Sequence, residues 1–172
     1  DAAESLGSQY KQQHTGTIGK LAALSFNGNK ILTAGGGGII LTNDAGLAMH
    51  AKHISTTAKI PHKWEFVHNV TAYNYRMPNL NAALAVAQLE LLSEFVENKR
   101  QLAARYQEWG FKNNLQFVCE PENTKANYWL NTVITKDKDE QLAMLEYTNN
   151  NGVMTRPVWL PMHKLPMNSN CF

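Results

Sequence analysis

Cysteine, net charge and long apolar runs are all scarce in this chain, and each shortage excludes a class of protein. Only two cysteines occur in 172 residues, Cys119 and Cys171, and their separation matches no metal-ligand spacing, so we expect free thiols. The net charge of +2 is too small to favour nucleic acid or an anionic membrane as a partner. No apolar run approaches the ~20 residues that span a bilayer, so we expect a cytoplasmic protein.

Signatures of other bound groups are missing too. The histidines at positions 50, 53, 62 and 68 lack a carboxylate or cysteine at a recognised ligand spacing, which predicts no metal site. The glycine run Gly35–Gly38 is not followed by Gly-Lys-Ser/Thr, and it leads into a strand pattern rather than a helix pattern. It is therefore neither a Walker loop nor a dinucleotide fingerprint.

What is present is a single lysine inside a predicted group of strands. Residues 21–26 and 31–34 read as strands, Gly35–Gly38 as a turn and residues 39–42 as a returning strand, with Lys30 between the first two. Glycines let the backbone approach a ligand closely. A lysine packed between strands can lose its proton and attack a carbonyl, because burial disfavours the ammonium form. This is the chemistry of a Schiff-base lysine.

The rest of the chain alternates helices with short strands. Asn43 and Asp44 are good N-caps for a helix over residues 45–53, and residues 61–78 read as an irregular loop. Apolar residues at helical spacing predict one long helix from Asn79 to Trp109, ended by Gly110. Beyond it the pattern predicts a small α+β domain: strands over 115–119 and 128–135, a helix over 139–149 and a strand over 153–159, with Tyr128, Trp129 and Trp159 in its core.

Three motifs in order resemble the DegT/StrS family of pyridoxal-phosphate (PLP) sugar aminotransferases. They are Asp1-Ala-Ala-Glu4, Ser25-Phe-Asn-Gly-Asn-Lys30 and Thr33-Ala-Gly-Gly-Gly-Gly38. The resemblance implies an α/β fold of the fold-type I, aspartate aminotransferase-like class, and a chain that is the C-terminal half of a family member. It implies that residues 1–78 end the large PLP-binding domain, 79–110 form a linking helix, and 111–172 form an incomplete small α+β domain.

The same resemblance implies roles for individual residues. Lys30 would bind the cofactor as a Schiff base and carry the proton, while Asp1 would hold the pyridine nitrogen protonated; the alternative for Asp1 is a solvated chain start. Ser25 would bind the cofactor phosphate. Asn74 would reach the phosphate of a neighbouring subunit, which implies a homodimer with composite active sites; its alternative is an Asx-turn.

Two positions depart from the family pattern. Glu4 stands where many members carry Gln or His against the cofactor's ring hydroxyl, and Gly36 replaces a glutamate. A carboxylate at position 4 has to be protonated or face a protonated partner. Both variants are associated with the branch that acts on UDP-linked 2-acetamido-4-keto-6-deoxy sugars, as in bacillosamine and legionaminic-acid pathways.

The implied reaction is amino transfer, with glutamate as the expected donor, to a 4-keto-6-deoxy nucleotide sugar in surface-polysaccharide or glycan precursor biosynthesis. The candidate substrate contacts are Arg76, Arg156, His163 and Asn27. Arginine suits bidentate oxyanion recognition. Structural roles remain open for each of the four residues. The alternatives are a 3-ketosugar aminotransferase of the same family and a non-catalytic truncated or regulatory relative. We expect the 172-residue chain alone to be inactive.

Overall fold

A computed structural model describes residues 1–171, which form two compact units. The first unit contains Asp1–Arg105 and Cys119–Leu130, and the second contains Tyr106–Val118 and the chain from Asn131 onward. The domain boundaries drawn from the sequence stay a prediction for the whole protein. In this structure the segment Cys119–Leu130 groups with the N-terminal unit although it follows the long helical region.

The strands are short and the helices carry most of the regular structure. Over the described residues the strands are β1 (Gln9–Tyr10), β2 (Gln13–His14), β3 (Ala22–Ser25), β4 (Gly38–Leu41), β5 (Gln116–Phe117), β6 (Thr124–Lys125) and β7 (Val133–Ile134). The helices are α1 (Ala45–Ser55), α2 (Asn79–Glu90), α3 (Leu92–Lys112) and α4 (Lys138–Asn150), followed by 3₁₀ turns at Met162–Lys164 and Pro166–Asn168.

The antiparallel pair β3–β4 is the framework of the first unit. Ser25 pairs with Gly38 at the end nearest the connecting segment. A Cβ built on Gly38 would clash with the carbonyl oxygen of Leu24, so the strands approach this closely only because residue 38 is glycine. The strands predicted over residues 21–26 and 39–42 are confirmed as β3 and β4, but Gly38 belongs to β4 rather than to the predicted turn.

The strand predicted over residues 31–34 is wrong. These residues form bends, although Leu32 and Ala34 are almost fully buried, at 1% and 0% exposure. The Ala34 N–H donates to the carbonyl oxygen of Phe26, and both residues join Leu32 and Ala85 in the core cluster. The apolar run is therefore explained by burial in an irregular segment, which periodicity alone does not distinguish from a strand.

Helix α1 begins as the sequence predicts. Asp44 is its N-cap, and the Asp44 carboxylate accepts a hydrogen bond from the Leu47 N–H at 3.0 Å. The single long helix predicted from Asn79 is instead two helices separated at Leu91, whose N–H bonds back to the carbonyl of Gln88 in a tight turn.

Gly110 does not end the helix, because α3 continues to Lys112. Gly110 is buried, and a Cβ there would lie 2.7 Å from the carbonyl oxygen of Leu115. The glycine therefore permits close backbone packing rather than marking the helix end.

The second unit contains the antiparallel pair β5–β7 and helix α4. Asp137 caps α4 by accepting from the Glu140 N–H at 2.9 Å. Two of the predicted strands shrink to two residues each, and residues 153–159 lie outside the strands that the structure describes. Trp159 is 64% exposed, so its prediction as a core residue is wrong. Over residues 1–171, none of the helices combines the length and apolar character needed to cross a membrane.

Candidate active site

Lys30 lies on the segment that follows β3, with its side chain largely covered. Its backbone N–H donates to the carbonyl oxygen of Asn27 at 3.1 Å, closing a turn. The side chain is 13% exposed, and its Nζ donates to a carboxylate oxygen of Glu4 at 3.1 Å. The same ammonium lies 4.3 Å from the ring centroid of Trp129. A lysine held between a carboxylate and an indole face differs from an ordinary solvated surface lysine.

Trp129 is the neighbour that the sequence did not predict. Its indole N–H donates to the carbonyl oxygen of Asn29 at 2.6 Å, next to Lys30 in the chain. The expectation that Trp129 belongs to the core of the small domain is wrong, because the residue belongs to the first unit and covers the lysine. Only the residue type of Trp129 could have indicated this contact in the sequence, because about 100 positions separate Trp129 from Asn29.

Asn127 joins this segment to the start of the chain. The residue is 5% exposed, and its side-chain amide donates to the carbonyl oxygens of Glu4 and Leu6, both at 2.9 Å. Its backbone N–H donates to the Ser8 hydroxyl at 3.0 Å, while its side-chain oxygen accepts from the Trp129 N–H at 3.0 Å. Asn127 therefore fixes both the backbone at Glu4 and the backbone that leads to Trp129.

A carboxylate–guanidinium pair anchors the same segment to helix α3. Arg100 makes a bidentate contact with Glu120, at 2.8 and 2.9 Å, and donates to the carbonyl oxygen of Ala126 at 2.6 Å. Glu120 accepts in turn from the Ala126 N–H at 2.7 Å. Hydrogen bonding to Arg100 lowers the pKa of Glu120, and the reciprocal bond raises the pKa of Arg100, although desolvation opposes both shifts.

Asp1 lies close to the strand that leads to Lys30. The N–H of Ala2 donates to the carbonyl oxygen of Ala23 in β3 at 3.0 Å, so the chain start runs beside that strand. The Asp1 carboxylate accepts from the Ala3 N–H at 2.9 Å and is exposed. This placement is compatible with the role inferred for Asp1, which stays a prediction.

Ser25 and Asn27 lie at the end of β3, before the lysine. The Ser25 hydroxyl accepts from the Asn27 N–H at 3.3 Å, which leaves its own proton able to donate to an anion. The Asn27 side chain donates to the side-chain oxygen of Asn29 at 3.0 Å. Gly35 and Gly37 have φ of +77° and +83°, which explains why glycines are needed in this turn.

Asn74 and Arg76 lie in the aromatic segment before α2, and both are exposed. Asn74 forms an isolated bridge with Thr56 just after α1. Arg76 lines an open cavity of about 870 Å³ over β4, α1 and the start of α2, together with Tyr75, Met77 and Ile40 among others. Lys30 does not line this cavity, so the cavity is separate from the contacts that Lys30 makes with Glu4 and Trp129.

Arg156 and His163 belong to the second unit, whereas the lysine belongs to the first. Both are exposed; His163 lies in the 3₁₀ turn Met162–Lys164, and an Arg156 Nη contacts the sulfur of Met154 at 3.5 Å. Their participation in one site with Lys30 stays a prediction. Among residues 1–171, three or more His, Cys, Asp or Glu side chains do not cluster as metal ligands would.

The residues around Lys30 suit a cofactor that carries an aldehyde and a phosphate. The group offers a covered primary amine, a serine hydroxyl free to donate, and an exposed carboxylate at the neighbouring chain start. Amine, carboxylate and phosphate donor are three of the elements that PLP requires from a protein. The donor set on this chain therefore fits PLP.

Comparisons with known proteins agree with this chemistry. The profile of the DegT/DnrJ/EryC1/StrS aminotransferase family matches residues 1–172. The chain is 35% identical, over 98% of its length, to GDP-perosamine synthase of Escherichia coli O157:H7, and 34% identical, over 97%, to EpsN of Bacillus subtilis (strain 168), whose provisional name is pyridoxal phosphate-dependent aminotransferase.

The fold comparison gives the same result. The aminotransferase TlmJ from Streptoalloteichus hindustanus superposes with a TM-score of 0.89 at 27% identity, over 98% of this chain and 46% of TlmJ. The chain likewise spans 46% of the GDP-perosamine synthase and 43% of EpsN. These matches confirm the expected fold class, a fold-type I transferase represented by part of its length. The chain belongs to the DegT/DnrJ/EryC1/StrS aminotransferase family.

Proposed function

We propose that the protein carrying this chain is a cytoplasmic PLP-dependent nucleotide-sugar aminotransferase. The observation that carries the proposal is the Lys30 amine, which is 13% exposed and held beside the Glu4 carboxylate on the segment that follows β3. The most similar relatives described above include a synthase named for a GDP-linked sugar and an aminotransferase named for pyridoxal phosphate. Family membership and the covered lysine support the same activity.

In this proposal each residue acts on a different part of the bound group. PLP, when bound, supplies an electron-accepting ring that stabilises negative charge on the amino-acid carbon. Lys30 anchors the cofactor and moves a proton with its Nζ. Asp1 keeps the ring nitrogen protonated, and the Ser25 hydroxyl donates to the phosphate.

The contact between Glu4 and the Lys30 amine supports a role for this carboxylate before the cofactor binds. The Glu4 side chain is 49% exposed and its Oε1 accepts from Lys30. We propose that Glu4 orients the lysine amine before the cofactor binds. The Glu4→Gln variant tests this, because it keeps the acceptor and removes the charge.

We further propose a 4-keto-6-deoxy nucleotide sugar as the amino acceptor and glutamate as the donor, with Asn27, Arg76, Arg156 and His163 contacting substrate. The branch assignment derives from Glu4 and Gly36, and the GDP-perosamine synthase relative supports a nucleotide-linked sugar without fixing the nucleotide. A panel of UDP- and GDP-linked 3-keto and 4-keto sugars, assayed for the aminated product, distinguishes this branch from a 3-ketosugar aminotransferase.

The proposed working unit is a homodimer in which Asn74 acts on the neighbouring subunit's cofactor. Its exposed side chain is available for such a contact. Mixing Lys30→Ala and Asn74→Ala proteins tests this arrangement, because mixed dimers regain one complete site. Recovery approaching about a quarter of the activity, the most that random exchange allows, supports composite sites, whereas no recovery in dimers shown to have exchanged subunits contradicts them.

The decisive experiment is an absorbance spectrum of the full-length protein after addition of PLP. We expect a band at the violet edge of the visible range that glutamate bleaches and Lys30→Ala abolishes. Lys20→Ala is the matched control, because Lys20 is 78% exposed and lies on the surface near Asp44. A full-length protein without the band would overturn the proposal and favour the non-catalytic alternative.

A further inference from the structure

We propose that Trp129 is a positioning residue for Lys30, and that the segment Cys119–Leu130 exists in this fold to hold the lysine amine in place. The contact itself is a feature of the structure, whereas its importance for amino transfer rests on the proposed function. Trp129 approaches Lys30 by two routes: its ring face lies 4.3 Å from Nζ, and its indole N–H bonds to the preceding residue's carbonyl at 2.6 Å.

These two contacts restrict different degrees of freedom. The bond to the carbonyl oxygen of Asn29 fixes the backbone of the turn that carries the lysine. The ring face attracts the ammonium through its quadrupole, and the side chain is only 13% exposed, so this attraction acts with little competition from water. Glu4 holds the same ammonium by its charge. The amine is therefore fixed in direction as well as position.

The segment that carries Trp129 is itself anchored at several points. Asn127 bonds to the backbone of Glu4 and Leu6, while the Arg100–Glu120 pair ties the start of the segment to α3. One distant segment thus fixes the two residues that hold the lysine, Glu4 and Trp129. A tryptophan held only for core packing would not require bonds that converge on the lysine turn.

Amine labelling of the cofactor-free full-length protein tests the proposal directly. Acylation by a limiting amine reagent, followed by peptide mapping, gives the rate at Lys30 relative to Lys20 and Lys112, which are exposed reference lysines. Trp129→Leu removes both contacts, and we expect the relative rate at Lys30 to rise about fivefold, as loss of a partly desolvated cation–π contact predicts. Trp129→Phe keeps a ring face but loses the bond to Asn29, so we expect a smaller rise than in Trp129→Leu, of about twofold.

A second measurement applies even if Trp129→Leu fails to fold. Replacing tryptophan biosynthetically with increasingly fluorinated tryptophans weakens the ring's negative face with little change in shape. We expect the relative labelling rate of Lys30 to rise stepwise with fluorine number. A rate that is unchanged across this series, or unchanged in a folded Trp129→Leu protein, would overturn the proposal.

The labelling assay and the absorbance test fail independently. If full-length protein shows no lysine-dependent band, the proposed function fails, but the labelling rates still decide whether Trp129 holds Lys30. If the band is present and the labelling rate does not respond, only the role of Trp129 is lost. In a loaded enzyme, we expect Trp129→Leu to release PLP faster than Trp129→Phe, measured as decay of the absorbance band on dilution.

Discussion

The pair formed by Arg100 and Glu120 offers the clearest quantitative prediction, made by changing Glu120 to Gln. The substitution keeps the shape of the side chain and removes its charge. The two side chains are 24% and 27% exposed, between the fully exposed pairs worth about 0.2–1 kcal/mol and the buried pairs whose disruption costs about 3–5 kcal/mol. Because the contact is bidentate and the Ala126 backbone bonds to both partners, we expect a loss of about 2 kcal/mol in the free energy of unfolding.

Urea denaturation of the full-length protein measures this loss as a lower midpoint at unchanged slope. The control is Lys112→Met, which removes an exposed pair with Glu108 on the same helix and should leave the midpoint within error. A double-mutant cycle with Arg100→Met should give a coupling energy of about 1–2 kcal/mol. A midpoint for Glu120→Gln equal to that of Lys112→Met would refute the reasoning.

The same pair predicts how stability depends on pH. The pKa of Glu120 is lowered in the folded state, so its stabilising effect is complete above the ordinary value of 4.5 and is lost as the pH falls through the lowered folded-state pKa. The free energy of unfolding of Glu120→Gln should therefore fall less steeply than that of the wild type as the pH is lowered. The difference between wild type and variant should shrink as the pH falls below 4.5 toward the lowered folded-state pKa of Glu120, because the unfolded wild type takes up a proton that the folded ion pair excludes.

Three further substitutions test the framework. Gly38→Ala should destabilise the β3–β4 pair by about 1–3 kcal/mol because its Cβ meets the carbonyl of Leu24, whereas Gly28→Ala, which meets open space, should be neutral in thermal denaturation. Asp44→Ala should cost about 1 kcal/mol by removing the N-cap of α1, seen as a lower denaturation midpoint. Asn127→Ala should cost about 1–2 kcal/mol, because it leaves two partly buried carbonyl groups without this donor, and should raise Lys30 labelling.

Each of these has an outcome that counts against it. Equal midpoints for the two glycine variants would mean that the strands relax without cost. An unchanged midpoint for the capping variant would mean that water replaces the carboxylate fully. Loss of stability in the asparagine variant without a change in lysine labelling would mean that the residue stabilises the fold but not the lysine site.

Local features of the fold could be predicted from sequence, because their signals lie within a few residues. The N-cap at Asp44 and the glycine turn before β4 depend on backbone geometry that the residue types indicate directly. The break at Leu91 could not be predicted, because apolar spacing continues across it. Gly110 was misinterpreted for a similar reason: its partner, Leu115, approaches through tertiary packing.

The candidate site likewise combines one residue that the sequence identifies with partners that it does not. Lys30 stands out by its motif, but the residues that hold it come from distant segments and have no local pattern. Asn127 contacts residues more than 100 positions earlier, and Trp129 contacts Asn29 across a similar separation. Such partners follow from topology, which a single sequence does not reveal. The contact between Glu4 and Lys30 was not predicted either, because the family pattern placed Glu4 against the cofactor's ring hydroxyl.

The late position of Asn127 and Trp129 in the chain has a consequence for biosynthesis. During translation, Lys30 leaves the ribosome long before the residues that restrain it, so the β3–β4 hairpin can form while the lysine amine is still unrestrained. Contacts of such long sequence separation close late, because a large loop entropy must be overcome first. We therefore expect ribosome-bound nascent chains to acquire a protected Lys30 only after residue 130 has emerged.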